Sequence, residues 1–513
     1  MQSLQNTYET LATTRNEAAV DVLLDALNFQ DEAIRRLALL ALLRREESRA
    51  PMQLLRNWEK LSPKEIQLLR KKRKWFVEAI EQCLAGDAEL VLSAIRAAKD
   101  LSINEVLPTF ITLAESSGTL AIKQAACSAV VAMVESLGRD ARADRDQPTV
   151  RGPILLRLAD SVRRFSMHRV DPLVDAYLLV STWGDGDLRQ MIGGQSPERD
   201  LIRKRFTSTT HRGVIELLAG FIRRRKIPEW VGQLIQSRVD EDFRNALLGA
   251  ITCEPSATVL RNLRDIGMPK SCQGGEEVLL SVSPELQAAL VHLYTVTSKD
   301  IVQTLHLIAA SIECTDSKVE LAASLALSRC EIPEIDMWMR AAIPVADLDE
   351  EAIADDDNAR LLNRLIRLLD HRDAGVVRGV RRVLEPLHAD EMLHRFEALR
   401  PRSRRRLGRV VMMIDPDAIN RVRDALRHPV LGNRLQAIAM ADALAVVDLL
   451  SDSFAHISRD DHQEARVRAA QAMADATNST TLGLLQEMIA LPECQVRDAA
   501  LSALEKRQKA KTR

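Results

Sequence analysis

The sequence predicts an all-α fold, an α-solenoid of stacked antiparallel helical hairpins, from three observations. A short phrase returns along the chain: an acidic or small residue, two spacers, an apolar anchor, often an Arg or Lys, then closely spaced Ala and Leu. It reads Asp31-Glu-Ala-Ile34-Arg35-Arg-Leu37-Ala38 near the start and Val496-Arg497-Asp498-Ala499-Ala500 near the end. Between them stand Ala121-Ile122-Lys123-Gln-Ala125-Ala126 and Val467-Arg468-Ala469-Ala470. Hydrophobic residues make up 46% of the chain but aromatics only 3%, so the core must be built from Leu, Ala, Val and Ile, which favours close helix packing. No alternating run of β-branched and aromatic residues is long enough to signal a sheet.

Within one phrase Ile34, Leu37, Ala38, Ala41 and Leu42 recur at i, i+3, i+4, i+7 and i+8, the stripe of a helix buried along one side. The anchors Ile34, Leu90, Ile122, Phe243, Val319, Val376, Val467 and Val496 are separated by 56, 32, 121, 76, 57, 91 and 29 residues. Most of these gaps are multiples of roughly 30 residues, the range of stacked helical hairpins; the gap of 76 fits poorly and implies longer units there. A single hairpin buries too little apolar surface to offset its ordering entropy, so each must stack on its neighbours.

Along the chain, 1–138 reads as N-terminal repeats, with second-helix candidates at 87–99 and 119–137. The charged, apolar-poor stretch 138–148, closed by Pro148, reads as an exposed loop. An irregular helical segment with loops follows at 139–210, where turn signals cluster at Trp183-Gly-Asp-Gly-Asp187 and Gly193-Gly-Gln-Ser-Pro197. Central repeats occupy 211–346, interrupted by the irregular stretch 269–275. An acidic loop is expected at 347–358, C-terminal repeats at 359–505 and a polar tail at 506–513.

The phrase resembles the HEAT repeat of armadillo-type proteins, especially the short bacterial form also found in bilin lyases. In that family the second helix of each hairpin opens with Asp-x-x-Val-Arg. The Asp stands here at 31, 87, 240, 316 and 373, and the Arg or Lys at 35, 123, 244, 468 and 497. The resemblance covers about half of the chain and implies structural roles for Asp31, Arg35, Lys123, Asp240, Arg244, Arg468 and Arg497. It implies that each such Arg sits near the turn between repeats and bonds an Asp or carbonyl of the adjacent unit.

The formal charge is −1, from 71 basic and 72 acidic residues, so the molecule as a whole has no pull toward nucleic acid or acidic membranes. No leader pattern and no uninterrupted apolar stretch of about 18 residues occurs. A cytoplasmic protein without membrane association is expected. The seven cysteines are odd in number, never spaced as C-x-x-C, and sit mostly among Ala and Leu, which suits small core residues in a reducing compartment. No phosphate-loop, dinucleotide, nucleophile-elbow or zinc-protease motif is present, and no cofactor or metal is expected. His388, Asp390, Glu391 and His394 read as a solvated helix, and the acidic segment lacks the order of a calcium loop.

Two features stand out as partner-binding candidates: the turn carrying Trp183, Asp185 and Asp187, and the basic run with Arg402, Arg405 and Arg406. The latter opens a helix, where cations are disfavoured, so an anion or an acidic neighbour is needed. The run at 223–226 reads as the decoration of a helix C-terminus. Extended surface without a reaction centre points to a non-enzymatic scaffold for a protein partner, its identity not legible. One rival is a HEAT-like bilin lyase with a reactive thiol. Another is nucleic-acid binding through 70–74 and 400–406, as in the HEAT-like alkylpurine DNA glycosylases.

Overall fold

The computed structural model describes residues 2–143, 148–313, 316–396, 399–460 and 462–511. Among them every regular element is a helix, and no strand occurs. The recurring Asp explains where many of these helices begin. Asp31 accepts hydrogen bonds from the backbone N–H groups of Ala33 and Ile34, Asp87 from Leu90, Asp240 from Phe243, Asp316 from Lys318, and Asp373 from Gly375 and Val376. Each satisfies donors that the first helical turn leaves open, worth ~0.5–2 kcal/mol. The apolar anchor is half-buried at Ile34, Leu90 and Val467 and turned inward at the others. Phe243, Val319, Val376 and Val496 are fully buried and Ile122 nearly so.

The chain divides into two units, residues 1–250 and 251–513. In the first, helices Ala88–Leu101, Leu120–Arg142, Asp171–Val180 and Arg212–Gly220 pack one against the next, with helices such as Leu107–Ser116 and Pro148–Arg163 behind them. In the second, Pro284–Thr297, Ser317–Arg329 and Ala374–Val383 form one such row. Pro401–Ile414, Leu431–Ala443, Gln463–Ala472 and Cys494–Lys511 form another. Helix Ile335–Asp347 packs against both Asp357–Arg367 and Pro401–Ile414. Each unit is thus an α-solenoid in which a helix touches mainly its neighbours in sequence.

Two local expectations need correction. The stretch expected as an exposed loop at 138–148 begins as helix, because Leu120–Arg142 continues through Gly138. A Cβ at Gly138 would stand 1.7 Å from the carbonyl oxygen of Leu179, so the missing side chain is what lets helix Asp171–Val180 lie against it. Residues 144–147 of that stretch lie outside the described residues. The acidic segment 347–358 is not a loop but a short helix, Glu350–Asp355, running into Asp357–Arg367. Its carboxylates are caps: Asp349 accepts from Ala352 N–H, and Asp356 from Asn358 and Ala359.

A second recurring contact joins neighbouring elements. A helix leaves its last carbonyls without intrahelical donors and carries partial negative charge there. Arginines from adjacent elements supply the missing donors. Arg45 donates to Leu11 O at 2.8 Å, Arg142 to Leu179 O at 2.8 Å, Arg238 to Phe206 O at 2.8 Å and Arg223 to Ala250 O at 2.9 Å. Arg382 reaches three carbonyls, those of Leu327, Ser328 and Cys330, at 3.2, 2.6 and 3.2 Å.

Glycines in two adjacent helices give opposite expectations. Gly138→Ala forces a backbone contact apart and should cost ~1–3 kcal/mol. Gly152→Ala, in helix Pro148–Arg163 with nothing within 4 Å of its Cβ position, should stabilise by up to ~1 kcal/mol through helix propensity. Thermal melts of the two variants should shift in opposite directions, and equal shifts would refute the close approach.

Candidate functional site

The turn singled out in the sequence is held by its own fold. Trp183 is half-buried, with its ring where a Cβ of Gly220 would fall 2.6 Å away, and the Arg223 guanidinium lies 5.6 Å from the ring centroid. Asp185 accepts from Thr182 N–H at 2.7 Å and forms a two-pronged ion pair with Arg151 at 3.0 and 3.1 Å. Asp187 pairs with Arg163 at 2.7 Å. The run at 223–226 does meet a helix C-terminus, but through Arg223 it serves that of helix Glu241–Ile251.

The basic run at 400–406 finds the acidic neighbours its position demands. Arg405 pairs with Asp475 and lies 3.7 Å from Asp442, whose carboxyl burial holds above the usual range. Arg406 pairs with Asp347 at 2.8 Å. Arg402 is exposed and makes no ion pair among the described residues. Of the five tryptophans, Trp58 and Trp338 are buried and Trp75, Trp183 and Trp230 half-buried, so none stands out as a surface anchor.

The repeat-phrase cations differ among themselves. Arg35 does not reach a neighbouring carbonyl; it donates to Phe29 O and Gln30 O, at 2.9 and 2.8 Å, in the turn before its own helix. It also lies 3.5 Å from the buried carboxylate of Glu65. Arg434 repeats the pattern on His428 O and Pro429 O. Arg244 pairs with Glu241, three residues back in its own helix. Arg497 donates to Cys494 Sγ at 3.6 Å, and Arg468 is exposed on helix Gln463–Ala472. The Lys123 side chain makes no hydrogen bond or ion pair among the described residues and faces a groove instead.

That groove, with a volume of about 670 Å³, runs beside helix Leu120–Arg142 in the first unit. Leu120, Cys127, Val131 and Pro172 give it a largely apolar lining, and Lys123 and Arg169 stand along it. The helix is long and apolar enough to cross a membrane by length and composition, yet Ala88–Leu101, Leu107–Ser116 and Asp171–Val180 pack against it. Its exposed positions are Leu120, Ala121, Gln124, Ser128, Ala132, Ser136 and Arg139, so apart from Leu120, 68% exposed, the open side is small or polar. The acids of the groove are engaged: Glu135 with Arg139 at 3.5 Å and Asp171 with Arg205 at 3.8 Å. Lys123 and Arg169 have no carboxylate among the described residues, so the free charge here is positive. Sequence reading placed Lys123 in the repeat but could not see the groove, whose far wall at 169–172 comes from a different helix.

The second unit holds a polar cleft of about 680 Å³. Arg364 bridges Glu276 at 2.7 Å and both oxygens of Glu313 at 2.8 and 2.6 Å, and His306 Nε2 lies 3.0 Å from the carbonyl of Asp357. The hydrogen bond from Arg364 holds the Glu313 carboxyl below its ordinary range. Most of its charges neutralise one another across helices, which reads as cross-linking rather than a reaction centre. Among the described residues no group of His, Cys, Asp and Glu could hold a metal ion. Burial raises the thiols of Cys83 and Cys127, and that of Cys330 to about 11, which keeps them protonated and poorly nucleophilic. Cys314 lies outside the described residues.

The chain is an all-α array of stacked hairpins, several of whose helices open on a capping Asp. No protein-family model matches the chain, and no curated protein matches it. Solved structures are similar over nearly its whole length at low identity. One concerns a phosphorylation switch in the interaction between cadherin and beta-catenin: 13% identity, 96% of this chain and 99% of that one, TM-score 0.35. A second concerns Kap95p binding to RanGDP: 10% identity, 98% and 73% coverage, TM-score 0.32. A third is She4p: 11% identity, 98% and 72% coverage, TM-score 0.28. The fold assignment rests on the capped hairpins themselves.

The Arg364 bridge gives a pH signature. A carboxyl whose pKa is lowered on folding contributes stability above its unfolded pKa, about 4.3 for Glu, and loses it as the pH falls through the folded value. Glu313→Gln should therefore melt below wild type at pH 7, with the gap closing near pH 3. A gap of the same size at both pH values would show that the ion pair contributes nothing.

Proposed function

We propose that the chain is a non-enzymatic scaffold that holds a segment of a partner protein in the groove beside helix Leu120–Arg142. The carrying observation is a groove wide enough for side chains, lined by Leu120, Cys127, Val131 and Pro172 and edged by two cations without a carboxylate partner among the described residues. A stacked-hairpin array fixes such a surface at set geometry without needing a reaction centre. Burial of the Cys83, Cys127 and Cys330 thiols, which holds them protonated, argues against any of these three as a lyase-type nucleophile. Nucleic-acid binding through 70–74 is disfavoured because three of its cations serve the fold. Arg70 donates to Asp100 O, Lys72 pairs with Glu46, and Arg73 lies 3.5 Å from Ser102 O.

Ser128 and Ala132 are exposed along the groove and can be changed without disturbing the core. Intact protein should capture a protein partner in pull-down that Ser128→Glu/Ala132→Glu fails to capture, while Gly118→Ser, in an open turn, retains it. Unchanged capture by the groove variant would remove the reading.

A further inference from the structure

We infer that the exposed face shared by helices Ser317–Arg329 and Ala374–Val383 is a second docking surface, one that takes an acidic amphipathic helix of a partner protein. It lies wholly within the second unit and is independent of the groove.

The seam between these helices fixes which residues share the face. A Cβ at Gly375 would fall 2.5 Å from Ser324 Oγ, and one at Gly379 would fall 2.6 Å from Leu327 Cβ. Arg382 fastens the same edge by donating to the carbonyls of Leu327 and Ser328. Residues 375, 379 and 382 of one helix therefore meet 324, 327 and 328 of the other. The positions next to that seam on the solvent side are Leu321 and Leu325 on the first helix and Arg378 and Arg381 on the second, all exposed. Two small residues at the seam bring the helices close enough to form one continuous surface.

The chemistry of this surface is one-sided. Lys318, Leu321, Leu325 and Arg329 stand at i, i+3, i+7 and i+11, a single stripe with a cation at each end and two leucines between, 55% and 40% exposed. Two of the nearby acids are already committed, while Glu331 and Glu385, just past the ends of the two helices, make no ion pair among the described residues. Glu320 pairs with His371 at 3.5 Å and Arg372 at 3.3 Å, and Asp373 caps its own helix through Gly375 and Val376 N–H. Lys318, Arg329 and Arg381 have no ion pair among the described residues; Arg378 folds its Nε onto the carbonyl of Ala374, four residues back, and its charge helps hold the Asp373 carboxyl below the usual range. Four exposed cations, none in an ion pair among the described residues, thus flank two neighbouring leucines.

Apolar residues at helical spacing, flanked by exposed positive charge, are complementary to a helix with leucines at i and i+4 and Asp or Glu to either side. Phosphates alone would leave the leucines bare. A bilayer would need side chains that protrude, whereas this face is two packed helices set edge to edge.

The test uses the full chain and a fluorescein-labelled amphipathic peptide of about 18 residues, with Leu at i, i+3, i+4 and i+7 and Glu on the flanks. A twin carries Lys in place of Glu. In fluorescence anisotropy the acidic probe should bind, weaken as salt rises, and exceed its twin by about tenfold or more. Leu321→Ala/Leu325→Ala and Arg378→Glu/Arg381→Glu should each weaken it by about tenfold or more with melting temperature held, since all four positions are exposed. Equal binding of the two peptides, or unchanged affinity in both variants, would overturn the assignment. So would tighter, Leu321-dependent binding to phosphatidylserine vesicles or to single-stranded oligonucleotide.

Discussion

The contact on which the structure most depends is a guanidinium resting on the open end of a neighbouring helix. A chain made of many short helices multiplies the problem of unpaired terminal carbonyls, since every helix ends with several. Arg45, Arg142, Arg223, Arg238 and Arg382 answer it from the next element rather than from within the helix. Because a guanidinium has five donors in a planar fork, one side chain can serve two or three carbonyls at once. The contact satisfies the helix end, places positive charge where the dipole favours it, and ties adjacent elements together. Arg142 shows the geometry this takes: glycines at 138 and 213 leave the room in which its guanidinium lies, beside Leu179.

That use of arginine also bears on recognition. The chain is nearly neutral and many of its basic groups are engaged with carbonyls or carboxylates, so attraction of partners has to come from the few places where charge is left over. Two such places stand beside exposed apolar surface. One is the groove with Lys123 and Arg169, and the other is the face with Lys318, Arg329, Arg378 and Arg381. Both would be invisible in the net charge, and both couple a local positive field to aliphatic contact. Binding of that kind gains its specificity from where the charges stand relative to the leucines.

Much of the architecture was legible because it follows from short-range rules. An Asp three residues before an apolar anchor is a cap, and this held at Asp31, Asp87, Asp240, Asp316 and Asp373, with the anchor fully buried after the last three and half-buried at Ile34 and Leu90. Errors arose where a long-range contact overrode local composition. Gly138 and its charged neighbours look like a loop until Leu179 is placed against them. The acidic cluster near 350 looks unstructured until its carboxylates are matched to the N–H groups of two helices. The surroundings of the candidate sites were less legible. Trp183, Asp185, Asp187, Arg405 and Arg406 stood out as unusual, but their partners Gly220, Arg151, Arg163, Asp475 and Asp347 are distant in sequence. The groove is assembled from segments almost 50 residues apart, so no periodicity marks it.

The placement of the indole side chains has a practical outcome for spectroscopy. Four of the five, Trp58, Trp75, Trp183 and Trp230, lie in residues 1–250, and Trp338 alone lies in 251–513. Intrinsic emission is therefore weighted toward the first half of the chain. A Trp338→Phe chain would report that half alone, and one retaining only Trp338 would report the other, so the two can be followed separately by light emission without any attached dye.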